Sequence, residues 1–339
     1  MKSSSHSKRR NTVLLGVVAL LLLYTFKSFT LPILASGSVA ELTSIEVNGD
    51  RQHLLIRGRD RENPVLLFVH GGPGMPAMFL AHSFQRDLER EFVVVHWDQR
   101  AAGKSFVTDT EPSTITTSQY LDDLFVVVDA LRKRFGQERI YLLGHSHGSY
   151  LGILAVSRHP ELFHAYIGVG QVVDEARAFA FQKAELVDVG SGTELTRGNI
   201  EGFIFKAGGG LYCCESFMPL LLTGLLAPEY SLMDAYNVKR GSSFSSRHMR
   251  FDVIPGPVDE SVVQLDLPVY MISGRYDLTT PTAMSRVYLE QLIAPQKEFF
   301  EIDKAAHFPF FEQPGPFTDV MAQIKEQTTG TNCTPDDCP

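Results

Sequence analysis

The sequence predicts an α/β fold in which a mostly parallel central sheet is flanked by helices. Two observations lead to this fold class. Short, continuously apolar runs that are rich in β-branched residues, such as Val65–Val69, are typical of parallel strands covered on both faces. Stretches with a helical pattern, such as residues 118–135, lie between these runs. A chain that alternates strand and helix in this way is expected to form a doubly wound sheet with right-handed crossovers.

The predicted elements follow in chain order. Residues 45–47 and 54–56 flank Asn48-Gly49-Asp50, a turn sequence that predicts a β-hairpin at the edge of the sheet. The apolar runs predict strands at residues 65–69, 92–96, 140–143, 165–169, 269–272 and 299–302. The helical patterns predict helices at residues 118–135, 150–157 and 281–293.

The alternation of strand and helix is interrupted after Gly170, which suggests an insertion. We predict a core made of residues 43–170 and 265–328, with residues 171–264 inserted as a mostly helical lid. Such a lid would cover the carboxyl ends of the strands, where ligands bind in open α/β sheets. Residues 329–339 are predicted to be a flexible tail.

Residues 1–36 differ in composition from the rest of the chain. Basic residues precede an apolar run at residues 13–26, which is short for a membrane span of about 20 residues. The pattern suits a signal peptide or a signal anchor, and Ser38-Val39-Ala40 offers small residues for a cleavage site. The basic start would keep the N-terminus in the cytoplasm. We therefore expect an extracytoplasmic protein, either secreted or anchored in the membrane by this segment.

The four cysteines allow three disulfide pairings. Cys333 and Cys338 lie in the polar tail, where a disulfide in an oxidising compartment is the simplest account. Cys213 and Cys214 are adjacent, and the sequence leaves open whether they are ordinary thiols, form a vicinal disulfide or pair elsewhere.

Two short glycine-rich motifs carry most of the functional information. Gly144-His145-Ser146-His147-Gly148 follows one predicted strand and opens a predicted helix, which is the context of a G-x-S-x-G nucleophile elbow. His70-Gly71-Gly72-Pro73-Gly74 follows another predicted strand about 75 residues earlier, as the H-G-G-type loop does in the α/β-hydrolase fold. Together the two motifs predict a serine nucleophile at Ser146 on this fold.

A serine hydroxyl needs a base and an acid partner, which follow in the order Ser, Asp or Glu, His in this fold. Asp277 and His307 come shortly after predicted strands, where catalytic groups converge, whereas Asp266 and Asp303 are less well placed. We expect Ser146 to attack a carbonyl, His307 to move the proton and Asp277 to orient the imidazole. The N–H group of His147 and the Gly71-Gly72 loop would bind the oxyanion.

The motifs resemble those of the proline iminopeptidases, a serine-peptidase branch of the α/β-hydrolases that removes N-terminal residues from peptides. The resemblance rests on residues 70–74, on Trp97-Asp98-Gln99-Arg100 and on Gly274-Arg275-Tyr276-Asp277, and it covers the core. It implies Ser146, Asp277 and His307 as the triad, with Gly72 and His147 forming the oxyanion hole. The chain departs from the family where Ala101 replaces a glycine, where histidines flank Ser146, and in having Trp97 as its single tryptophan.

An aminopeptidase also needs carboxylates to bind the substrate's ammonium group, and no local pattern selects them. The candidates in the predicted lid are Asp174, Glu175, Glu185, Asp188, Glu194 and Glu201. The alternative is a carboxylesterase, lactonase or amidase that acts on a small molecule with the same triad. A catalytically inactive binding protein is disfavoured because all three triad positions are intact, and Ser146 argues against epoxide hydrolases and dehalogenases, which use aspartate.

Composition limits the partners. The net charge of −8 argues against nucleic-acid binding. Cysteines and histidines do not cluster at metal-ligand spacing, so neither a metal nor a cofactor is predicted. The expected partners are a peptide or a small ester or amide, and a membrane where the N-terminal segment is not cleaved.

Overall fold

The computed structural model describes residues 10–16, 25, 28–190, 192–254 and 256–329. Its strands form one sheet in the order β1-β2-β4-β3-β5-β6-β7-β8. The strands are β1 (Val39–Val47), β2 (Asp50–Gly58), β3 (Val65–Val69), β4 (Val93–Asp98), β5 (Ile140–His145), β6 (Phe163–Val169), β7 (Val269–Gly274) and β8 (Lys297–Ile302). The strands from β3 to β8 pair in parallel, whereas β1 and β2 pair antiparallel at one edge. The predicted α/β architecture with a mostly parallel sheet is therefore confirmed.

The edge hairpin forms as its turn sequence predicts. Asn48 and Gly49 both have positive φ angles, of 45° and 85°, which a two-residue hairpin turn requires. Val47 pairs with Asp50 across this turn. The turn therefore sets the register of β1 on β2.

Helices cover both faces of the sheet. They are α1 (Ala81–Phe84), α2 (Leu88–Glu91), α3 (Thr117–Phe135), α4 (His147–Arg158), α5 (Glu175–Glu185), α6 (Val187–Gly190), α7 (Ile200–Lys206), α8 (Met218–Leu225), α9 (Leu232–His248), α10 (Val258–Ser261), α11 (Thr282–Gln291), α12 (Pro309–Glu312) and α13 (Pro314–Thr329). Side chains of β3, β4 and β5 alternate between two buried apolar clusters, one on each face. This burial on both faces explains why the strands have continuously apolar sequences.

The long helices of the core begin and end where their sequences favour it. Thr116 accepts a hydrogen bond from the N–H group of Gln119 and caps the start of α3. Gly136 has a left-handed conformation and ends the same helix. The predicted helices at residues 118–135, 150–157 and 281–293 correspond to α3, α4 and α11.

The chain between β6 and β7 contains α5 to α10 and contacts the core through charged and polar side chains. Lys104, which follows β4, lies 2.7 Å from a carboxylate oxygen of Asp234 in α9. Tyr230 donates a hydrogen bond to the buried carboxylate of Asp98, the last residue of β4. These contacts hold α9 and the segment before it against the carboxyl end of β4.

The predicted signal peptide or anchor at residues 1–36 lies largely outside the described residues. Residues 10–16 are helical, and among the described residues no helix is both long and apolar enough to cross a membrane.

Thr30 donates a hydrogen bond to Glu229, and Arg57 donates one to the carbonyl of Leu31. The end of the predicted leader thus contacts the folded body. The cleavage sequence Ser38-Val39-Ala40 runs into β1, where Val39 pairs with Gly58.

The cysteines of the tail, Cys333 and Cys338, and the disulfide predicted between them lie outside the described residues. Cys213 and Cys214 are both free thiols, the first exposed and the second partly buried. Of the three alternatives left open for this pair, the structure shows unpaired thiols.

Candidate active site

Ser146 lies on the sharp turn between β5 and α4. Its φ and ψ angles are 53° and −124°, a conformation that is strained for a residue with a side chain. Its backbone N–H group donates to the carbonyl of Val169, which fixes the turn against the end of β6. A Cβ atom on Gly148 would come within 2.0 Å of the carbonyl oxygen of Val69, so only glycine fits there. The sharp strand-to-helix turn predicted at residues 144–148 is therefore formed.

The loop after β3 lies directly against Ser146. A Cβ atom on Gly71 would lie 2.7 Å from the Cβ atom of Ser146, which requires glycine at this close approach. Gln99 holds the start of the loop, because its side chain donates to the carbonyl of His70 at 2.8 Å and its N–H group donates to the ring of His70 at 3.2 Å. Burial lowers the pKa of His70 to about 4, so the ring is neutral and can accept. The two motifs at residues 70–74 and 97–100 are thus joined by these hydrogen bonds.

Ala101, which departs from the family pattern, has a φ angle of 57°. This left-handed conformation is one that favours glycine. The methyl group of Ala101 packs in one of the two apolar clusters. Ala101 thus adopts the turn conformation that favours glycine, and its methyl group makes apolar contacts that a glycine would lack.

His307 and Asp277 are brought together from the loops that follow β8 and β7. The Nδ1 atom of His307 lies 2.9 Å from Oδ2 of Asp277, and both side chains are buried. Thr280 donates to the same oxygen of Asp277 at 2.8 Å, and its N–H group donates to Oδ1. Asp277 is thus held by three partners. Sequence analysis missed Thr280, although its place three residues after an aspartate is a signal for this type of turn.

The two histidines beside Ser146 have different surroundings. The Nε2 atom of His145 is 2.8 Å from the carbonyl oxygen of His307, so His145 supports the histidine loop. His147 is buried, and neither of its ring nitrogens has a hydrogen-bond partner among the described residues. Burial lowers the pKa of His147 to about 3, which makes it a neutral imidazole with an unused donor and an unused acceptor.

Two cavities meet at Ser146. The larger has a volume of about 760 Å³ and is lined by Ser146, His147 and residues from α5 and the loops around it. The smaller has a volume of about 220 Å³ and is lined by Ser146, His307 and mainly apolar side chains. The apolar side chains of the smaller cavity are Met75, Pro76, Ala77, Phe79, Leu80, Phe205, Phe217, Phe308 and Phe310. A carbonyl group held at Ser146 would therefore border both cavities.

The structure separates the six candidate carboxylates of the predicted lid. Glu201, in α7, lines the smaller cavity, and Asp174 and Glu175 line the larger one. Glu185, Asp188 and Glu194 line neither of these cavities. Sequence analysis could not make this distinction, because the segment has no sheet register from which to infer orientation.

The described residues contain no group of three or more His, Cys, Asp or Glu side chains placed to hold a metal ion.

Comparisons with known proteins agree with the geometry. A family model described as the alpha/beta hydrolase fold matches residues 64–314. A probable aminopeptidase, YbaC of Bacillus subtilis (strain 168), is 30% identical over 306 residues, which cover 84% of this chain and 96% of that protein. A proline iminopeptidase of Lactobacillus helveticus (strain DPC 4571) is 31% identical over 117 residues, about a third of each chain. The crystal structure of a proline iminopeptidase from Mycobacterium smegmatis superposes with a TM-score of 0.63 at 19% identity, covering 86% of this chain and all of that one.

Proposed function

The chain belongs to the α/β-hydrolase family, and we propose that it is a serine aminopeptidase of the proline iminopeptidase type, which releases N-terminal residues from peptides. The observation that carries this proposal is the position of Glu201. Glu201 is an exposed residue that lines the small cavity also lined by Ser146 and His307. A negative charge at this cavity suits a substrate residue with a free ammonium group.

In the proposed mechanism, Ser146 attacks the carbonyl of the N-terminal residue. The carboxylate of Asp277 can only accept, so Nδ1 of His307 carries a proton and Nε2 is left as the basic nitrogen. His307 takes the proton of the Ser146 hydroxyl and gives it to the leaving amine. Water then hydrolyses the acyl-enzyme by the same route and frees the N-terminal residue.

Backbone donors would stabilise the oxyanion that forms during attack. The N–H group of His147 is at the first position of α4, where the helix itself provides no acceptor for it. Gly72 supplies the second N–H group from the loop that lies against Ser146. Each donor of this kind contributes about 3 kcal/mol to lowering the barrier.

Glu201 would select substrates by charge. The structure gives it no ion-pair partner among the described residues, and the lining of its cavity is otherwise apolar apart from the polar groups near the nucleophile and the hydroxyl groups of Ser242 and Ser246. A substrate ammonium group entering this cavity would provide the missing opposite charge. A charged hydrogen bond of this kind contributes about 1.5–3 kcal/mol.

The apolar lining of the same cavity favours the second candidate, an esterase, lactonase or amidase for small molecules. These apolar side chains could equally surround an acyl chain. The two candidates differ in one requirement, because an acyl substrate has no ammonium group for Glu201.

The test compares prolyl and other aminoacyl anilides with their N-acetylated forms and with short-chain acyl esters. We expect Ser146-dependent release of the aromatic amine from the free-amine anilides, with loss of activity on N-acetylation. Glu201→Gln should lower kcat/KM for free-amine substrates about 10–100-fold and leave any ester activity unchanged. Glu194→Gln is the matched control, since Glu194 lines neither cavity. Cleavage of esters alone, insensitive to Glu201→Gln, would support the second candidate.

A further inference from the structure

We propose that Arg197 binds the C-terminal carboxylate of a short peptide in the larger cavity, so that the enzyme acts on peptides of a few residues with a free C-terminus. This inference rests on the proposed aminopeptidase function and names its substrate class.

Arg197 is an exposed residue that lines the larger cavity, and its guanidinium group lies 5.0 Å from the centre of the Phe179 ring. None of the ion pairs among the described residues includes Arg197. Stacking on a ring uses the flat face of a guanidinium and leaves its N–H groups available at the edge. Those donors match a carboxylate, which can accept two of them at once.

The acidic side chains of the same cavity already have structural roles. Asp174 caps the start of α5 by accepting from the N–H groups of Ala176 and Arg177, and it forms an ion pair with the side chain of Arg177. Glu175 lies in the first turn of α5, where a negative charge interacts favourably with the helix N-terminus. Arg197 is therefore the charged side chain of this lining, within the described part of the chain, that has no opposite charge to balance it.

His147 provides a second, independent observation. It is only 6% exposed, lines the same cavity and immediately follows Ser146, yet both ring nitrogens lack partners among the described residues. A buried polar group without a partner costs free energy, which a ligand can recover. The neutral ring can hydrogen-bond the peptide group that follows the scissile bond. The cavity therefore has a polar contact near Ser146 and a cationic contact at Arg197.

The two cavities that meet at Ser146 include charged side chains of opposite sign in their linings. The smaller cavity has Glu201, and the larger cavity has Arg197. A short peptide has an ammonium group at one end and a carboxylate at the other, so it matches both. The volume of about 760 Å³ is in the range of pockets that enclose drug-sized ligands, which corresponds to a few residues rather than a long chain.

The experiment measures kcat and KM for dipeptides and tripeptides with the N-terminal residue that the wild-type enzyme releases fastest, each as the free acid and as the C-terminal amide. We expect the wild type to prefer the acid about tenfold in kcat/KM. Arg197→Gln should remove this preference by raising KM for the acids about tenfold, with kcat and the values for the amides unchanged. Arg197→Lys should retain part of the preference.

Lys183→Gln is the matched control. The ammonium group of Lys183 lies 4.9 Å from the centre of the same Phe179 ring, but Lys183 does not line the cavity, so its substitution should leave both substrate series unchanged. Equal losses on acids and amides in Arg197→Gln, or no loss on either, would overturn the proposal. If the wild-type enzyme cleaves no peptide with a free amine, the proposed aminopeptidase function itself is wrong. The wild-type measurements alone show this result, before any variant is made.

Discussion

His307 and Asp277 are joined by a hydrogen bond of 2.9 Å between Nδ1 and Oδ2, and the structure buries both side chains. The two residues are 30 positions apart and come from loops after different strands. Parallel pairing of β7 with β8 places the ends of these strands side by side, and this register brings the two loops together. The same pairing explains why a carboxylate and a histidine that follow separate strands come within hydrogen-bond distance of each other.

Asp277→Asn is expected to lower kcat by a factor on the order of 10⁴ with little change in KM for the anilide substrate. The amide would donate to Nδ1 of His307, which places the imidazole proton on Nε2, where it can no longer accept the proton of Ser146. Steady-state kinetics measure this loss.

Thr280→Val is the control for that change. It removes the hydrogen bond of 2.8 Å from Thr280 to Asp277 but keeps the bond between Asp277 and His307. We expect a loss in kcat of less than about tenfold, because the tautomer of His307 is unchanged. A loss in Thr280→Val as large as in Asp277→Asn would argue that the hydroxyl, rather than the carboxylate, orients His307.

Ser146→Gly is expected to stabilise the protein by about 1 kcal/mol relative to Ser146→Ala, with no turnover in either variant. The φ angle of 53° and ψ angle of −124° at Ser146 are strained for alanine and serine but freely adopted by glycine. Urea unfolding midpoints measure the difference. Equal midpoints for the two variants would mean that the elbow relaxes when the hydroxyl is removed. Residual activity in either variant would contradict Ser146 as the nucleophile.

The fold was predictable from the sequence because the strands are buried on both faces. Val65–Val69 is a strand with the same limits as its apolar run, and Asn48 and Gly49 form the turn that their side chains favour. The role of Glu201 was not predictable, since it depends on how α7 lies over the sheet. That packing is set by contacts between residues distant in sequence, such as the hydrogen bond from the N–H group of Leu278 to the carbonyl of Gly209.

The positions of the predicted site residues could be inferred where a residue follows a strand that the sequence identifies. Ser146, Asp277 and His307 each follow a strand that its own sequence identifies, so their meeting point follows from the sheet. Arg197 has no such strand to locate it, whereas Thr280 shares the loop after β7 with Asp277. His147 could be placed by the elbow, but the absence of hydrogen-bond partners for its side chain depends on the residues packed around it.

Asp98→Asn should make the protein more stable at pH 8 than the wild type, with a difference that disappears below about pH 4. Burial raises the pKa of Asp98 from 3.8 to about 7, and Oδ1 has no hydrogen-bond partner among the described residues. Because the folded-state pKa is raised, the stability contribution of the protonated carboxyl is complete below pH 3.8. It is lost as the pH rises to about 7.

Asparagine cannot ionise, and its oxygen can still accept from the N–H group of Lys104 and from Tyr230. The difference in the free energy of unfolding should therefore grow between pH 4 and pH 7 by roughly 2–4 kcal/mol. Urea denaturation at pH 4, 6 and 8 measures it. Asp303→Asn, at an exposed position, is the control and should show no such trend. A constant difference across these pH values would mean that Asp98 is already ionised at pH 4 in the folded protein.

A chain that begins at residue 37 is expected to be less stable than one that begins at residue 28, by about 1–3 kcal/mol. The shorter chain lacks the hydrogen bond of 3.0 Å from Thr30 to Glu229 and the bond of 2.6 Å from Arg57 to the carbonyl of Leu31. Glu229 is buried, and its burial raises the pKa of the carboxyl, so the loss of a donor to it is costly.

Urea unfolding of the two chains at pH 7 measures this difference, and Thr30→Val in the longer chain separates its causes. That substitution removes the donor to Glu229 and one acceptor for Arg57, but it keeps the hydrogen bond from the Arg57 side chain to the carbonyl of Leu31. It should therefore reproduce part of the loss. Ser28→Ala, which removes only the acceptor for Lys104 at an exposed position, should have a smaller effect because Lys104 keeps its ion pair with Asp234. Identical midpoints for the chains beginning at residues 28 and 37 would show that residues 28–36 rest on the folded body without stabilising it. A leader removed up to residue 36 would then leave the stability of the body unchanged.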